Sequence, residues 1–148
     1  MRVIIFLLLA ILVGALQVSG LAFFGVKPNF VLAFSVAAAF YLKDFLWFAI
    51  VVLVSLLMVR SQAAFQWEPI VVFGLALLVF WSKSYWPWKE FINWSAALLS
   101  TSVLFYLIID PRFIFVHYSI LGLEILYNLI LGGLLLLLLP RNTVKNEE

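Results

Sequence analysis

The sequence predicts an all-α, polytopic integral membrane protein, a bundle of six transmembrane helices. Two observations carry that prediction. Of the 148 residues, 67% are hydrophobic and only 11% are charged, against about 25% charged in a soluble domain. A soluble fold of this size buries about 70% of its unfolded surface, so the excess apolar surface must face lipid. The apolar residues also fall in long runs that are apolar on every face. A membrane β-strand alternates with period two, so these runs exclude a barrel and suit lipid-facing helices.

The first run, residues 3–24, is long enough to cross a hydrocarbon core of ~30 Å. It follows Met1-Arg2 as a signal peptide would, but its length exceeds an ordinary signal core and favours a retained helix. Gly25, Lys27, Pro28 and Asn29 break the pattern, with Pro28 suited to a first helical turn. A second helix is expected at 28–42 and a third at 45–59, separated by Lys43-Asp44. One helix across both would span ~45 Å, too long for the bilayer, whereas two adjacent charges at a turn reach the headgroups. Reading the turn as unbroken leaves five helices instead of six. Pro69 starts the fourth helix, 69–81. The fifth, 91–109, stops at Asp110-Pro111, where proline disfavours helix in the residue before it. The sixth, 118–139, ends at Pro140-Arg141. Residues 1–141 form one transmembrane domain and 142–148 a polar tail.

With six helices, one side of the membrane collects Arg2, Lys43, Lys83, Lys89, Arg141 and Lys145 and the other only Lys27, Arg60 and Arg112. The positive-inside rule then places both termini in the cytoplasm. A net charge of +2, with basic residues scattered along the chain, makes no patch for nucleic acid. With no cysteine and a single histidine, His117, thiol chemistry and a multi-histidine metal site are excluded. No cofactor motif and no paired-carboxylate spacing appears, so an enzyme is not expected.

An ionisable residue inside a membrane helix is a functional candidate because its charge is costly there. Glu124 is that residue, with Asn128 four residues on and on the same face. Together they form either a polar spot lining a cavity, for proton or substrate handling or for docking a partner helix, or, with Glu124 near its helix start, a carboxylate that snorkels to the interface or pairs with Arg112 or His117. Trp86, Trp88 and Trp94, in a tryptophan-rich stretch, are candidate interface anchors or a partner-docking surface. Gln17, Ser35, Ser100, Thr101, Ser102, Gly132 and Gly133 are read as close helix contacts.

The turn Gly25-Val26-Lys27-Pro28-Asn29 leading into an apolar helix, and the last helix with Tyr127-Asn128-Leu129-Ile130-Leu131 before a leucine run and a basic end, resemble the rod shape-determining protein MreD family. Residues 49–60 lack the glycine and acidic residue of that family's third helix. The resemblance implies a non-enzymatic inner-membrane component of the bacterial cell-elongation machinery. Its partners would be membrane lipid, the single-span protein MreC and, through the complex, actin-like MreB. The six-helix plan is also similar to the substrate-binding components of energy-coupling-factor transporters, which would require polar residues converging on an internal pocket.

Overall fold

A computed structural model describes residues 2–59, 67–87 and 89–138. These form seven helices: α1 (Arg2–Val18), α2 (Phe30–Tyr41), α3 (Phe45–Val59), α4 (Glu68–Ser82), α5 (Glu90–Ile109), α6 (Pro111–Val116) and α7 (Tyr118–Leu138). A 3-10 turn, Lys83–Tyr85, extends α4. The expected anchor Trp88, the loop basic residue Arg60 and the tail 142–148 lie outside the described residues.

The helix breaks have local causes. The first helix is shorter than the apolar run: it ends at Val18, not near residue 24, because Gly20 takes φ +72. A left-handed glycine just past the last helical residue is a helix stop that hydropathy cannot register. The chain then closes a tight turn in which Phe23 and Val26 exchange backbone hydrogen bonds of 2.8 and 3.0 Å. Its central residues, Phe24 and Gly25, have φ +51 and +79, the positive pair of a type I′ turn. Phe24, 94% exposed, projects from the tip.

Asn29 starts α2 by accepting the Leu32 N–H at 3.0 Å. Asp44 starts α3 by accepting the Leu46 N–H at 2.8 Å, so the Lys43-Asp44 break does separate two helices. The stretch between 109 and 118 is not a plain loop. Pro111 ends α5 and opens the short helix α6, with Asp110 accepting the Arg112 N–H at 3.1 Å, because a proline lacks only a donor that a first turn leaves unused.

Consecutive long helices run in opposite directions. Phe6 near the start of α1 meets Tyr41 at the end of α2, with ring centroids 6.1 Å apart. Phe45 at the start of α3 meets Phe80 and Trp81 at the end of α4. The axis of the bundle is α2, whose residues Phe30 through Ala39 are all buried and which packs against α1, α3, α4, α5 and α7. At 12 residues it is about 18 Å long, well short of a ~30 Å hydrocarbon core. Among the described residues, three helical segments are long and apolar enough to cross a membrane: Glu68–Tyr85, Phe91–Ile109 and Tyr118–Leu135. The apolar helices Val3–Val18, Phe30–Tyr41 and Phe45–Val59 are shorter, so the structure does not establish six full spans. Outward faces are apolar, with Leu8, Leu46, Leu57, Leu78 and Ile108 all exposed.

Two glycines set helix spacing. A Cβ on Gly14 of α1 would lie 2.4 Å from the Met58 Cβ of α3, and one on Gly132 of α7 would lie 2.3 Å from the Trp94 ring of α5. The Gly132 contact corrects the expectation that Trp94 is an interface anchor. Trp94 is 0% exposed, because Gly132 removes the side chain that would keep α7 away from the indole. The Trp94 Nε1 has no hydrogen-bond partner among the described residues.

Replacing Gly132 with Ala is expected to lower unfolding stability in detergent by about 1–3 kcal/mol, the range for overpacking, with a red-shifted tryptophan emission. Gly133→Ala, whose Cβ meets nothing within 4 Å, should leave both unchanged. Equal effects from the two would remove the close contact as the cause.

Candidate functional site

The described polar residues of the helices do not spread evenly; several converge on one end of the bundle. There, a cavity of about 300 Å³ is lined by Gln17 from the end of α1, Lys27 and Asn29 from the α1–α2 turn, and Glu68 from the start of α4. Tyr106 from the end of α5 and Glu124 from the first third of α7 complete its polar lining. The alternating direction of the helices brings these sequence-distant residues together, since the ends of α1 and α5 meet the starts of α2, α4 and α7.

Glu124 lies about 9 Å along α7, six residues in at 1.5 Å each, and is only 3% exposed. Its carboxylate turns into the bundle and accepts a hydrogen bond from the Tyr106 hydroxyl. This overturns the alternative pairing with Arg112 or His117, both of which are exposed on the surface. Tyr106 is itself held by Phe113 of α6, whose ring stacks on it at 4.5 Å and 11°. The short helix thus positions the donor.

Asn128 is one turn deeper on α7 and 0% exposed. Its amide is near the Glu124 carboxylate, yet among the described residues neither amide atom meets a partner at hydrogen-bond geometry. The Ser35 and Ser102 hydroxyls, on α2 and α5, are likewise buried and find no partner among the described residues. Below the cavity, the three mutually packed helices therefore carry polar atoms that would each cost free energy in a dry core.

The remaining lining groups are oriented by backbone bonds. Gln17 Oε1 accepts the Phe30 N–H at 2.8 Å, and Asn29 Oδ1 accepts the Leu32 N–H. With both carbonyl oxygens engaged, the two amide NH₂ groups remain as donors. The arrangement offers carboxylate acceptors, amide donors and one ammonium in a single recess.

Sequence reading singled out Glu124 and Asn128 but missed Tyr106 and Glu68 and assigned Gln17 to packing. A glutamine in an otherwise apolar helix was the available signal. Trp86 is half-buried at the opposite end, where its carbonyl accepts from Asn93 Nδ2 at 3.2 Å; neither it nor Trp94 approaches the cavity. Comparison with protein-family models, curated proteins and solved structures finds no match to this chain.

A double-mutant cycle tests the central pair. Tyr106→Phe should destabilise the wild-type protein by about 1–3 kcal/mol, the cost of leaving a buried charged-group hydrogen bond unmade. In a Glu124→Leu background the same change should cost little, and equal costs in both backgrounds would show that the two side chains are not coupled.

Proposed function

We propose that this chain is a non-enzymatic scaffold of the bacterial cell-elongation machinery, embedded in the inner membrane and resembling MreD proteins. In this reading six helices enter the bilayer with both termini cytoplasmic, and partners are held through contacts between membrane segments. What supports it above all is the meeting of the two stretches that carry the resemblance. Helix α2, which follows the Gly25 turn, packs on α7, and just ahead of the first stretch the ring of Phe23 lies 5.8 Å from that of Tyr127. Segments far apart in sequence thus build one structural unit around the cavity.

The membrane setting is supported by the surface. Apolar side chains cover the flanks, and exposed aromatics mark both ends: Trp81 and Tyr85 at one, Phe24, Trp67 and Tyr118 at the other. Such belts match the headgroup layers. Helix α2 enters the bilayer without contacting it, because its neighbours enclose it. A short central helix of this kind is compatible with six insertions although, among the described residues, three segments have full crossing length.

The scaffold would engage the single-span protein MreC and, through it, MreB. Affinity purification of the full chain in mild detergent is expected to recover a single-span partner with a large extracytoplasmic domain. Recovery of ATPase subunits in its place would overturn the scaffold reading.

The cavity favours a second reading, a substrate-binding component of an energy-coupling-factor type transporter, since polar residues do converge from several helices. That reading requires a water-soluble small molecule to raise the thermal unfolding temperature. Glu124→Ala or Asn128→Ala should then abolish the shift.

A further inference from the structure

The polar cavity is not isolated. It shares Leu56 and Pro69 with an apolar groove of about 210 Å³ between α3 and α4, lined by Leu53, Leu57, Ile70 and Phe73. Leu57 and Ile70 lie two residues from the ends of their helices, at the cavity's mouth, while Leu53 and Phe73 lie deeper along the same flank. Leu53, Leu57 and Ile70 are exposed, so the groove faces whatever surrounds the bundle. A polar recess at the end of the bundle thus continues into an apolar channel running toward its middle.

We infer that this two-part cavity binds a phospholipid with a primary-amine headgroup, the headgroup entering the recess and one acyl chain lying in the α3–α4 groove. The polarity gradient has the sense that a bilayer imposes on a lipid, with its polar end at the interface and its tail inward. Three properties of the recess select the headgroup. First, Glu124 has a neutral phenol as its hydrogen-bond partner and no basic side chain paired with it among the described residues. An ammonium would supply the counter-charge that a buried carboxylate requires. Second, Glu68 stands exposed at the rim as another acceptor. Third, the Lys27 ammonium and the NH₂ groups of Gln17 and Asn29 are donors suited to phosphate oxygens. A choline headgroup has no N–H to give the carboxylates. A glycerol headgroup brings no positive charge to them.

The inference does not depend on the scaffold reading, and native mass spectrometry of the full chain in mild detergent tests it. The probes are phosphatidylethanolamine, phosphatidylcholine and phosphatidylglycerol of identical chains, and free O-phosphoethanolamine. Phosphatidylethanolamine is expected to bind roughly tenfold more tightly than the other two lipids, the scale of one charge-assisted interaction. Glu124→Gln should remove that preference. Glu68→Gln, at the exposed rim, should reduce it in the same direction and serves if the buried variant does not fold. Ile70→Trp, which fills the groove, should weaken the lipid while leaving free phosphoethanolamine unaffected. Equal retention of the three lipids, or a preference unaltered in folded Glu124→Gln or Glu68→Gln protein, would overturn the proposal. Phosphoethanolamine binding as tightly as the lipid would also overturn it, assigning the recess to a soluble ligand.

Discussion

The fold depends on how the two ends of one buried helix are satisfied. Helix α2 is enclosed by five neighbours, so its free backbone donors and acceptors cannot be left to water, and each unpaired group in an apolar phase costs several kcal/mol. At its start, Asn29 and Gln17 accept the N–H groups of Leu32 and Phe30. At its end, the Lys83 ammonium reaches across from the α4 extension and donates to the carbonyls of Ala39 and Leu42, the latter at 2.7 Å. A cation there also complements the negative end of the helix dipole. Lys83 is steadied by the Phe80 ring, 3.9 Å from its Nζ, and Phe80 stacks on Phe48 of α3 at 4.6 Å. Three helices are thereby tied together at one end of the axis.

The same device creates the cavity at the other end. Gln17 and Asn29 are needed there to cap α2, and capping uses only their carbonyl oxygens. Their side chains line the recess, to which α3, α4, α5 and α7 also contribute. The polarity of the site is therefore partly a by-product of stabilising the central helix. Glu124 is different, because no backbone group requires it. Its burial against Tyr106, held by a six-residue helix that stacks Phe113 on the ring, is an added feature that the capping of no helix demands. Features of that kind in a membrane interior belong to function more often than to folding.

Small residues govern the packing elsewhere. In lipid the hydrophobic effect does not drive helices together, and close approach of backbones does. Gly14 lets α1 contact Met58 of α3, and Gly132 lets α7 accept the Trp94 ring. The alanine run in α2 lets its neighbours surround it. A tryptophan near a helix start has the look of a headgroup anchor. Here the glycine opposite turned it into core.

What the sequence by itself determined is the solvent and the order of the elements. Composition points to apolar helices able to span a membrane, and proline, the Lys43-Asp44 pair and capping aspartates mark most helix limits, because these are local effects of backbone chemistry. Glu124 and Asn128 were legible as polar exceptions on one helical face. The tertiary structure alone decided which way each helix faces, that α2 is the axis, that Trp94 is interior, and that Gln17, Glu68, Tyr106 and Glu124 share one cavity. The physical reason is that lipid and protein core are equally apolar. A helix apolar on every face carries no pattern telling its inner side from its outer, and only packing against its neighbours makes that choice.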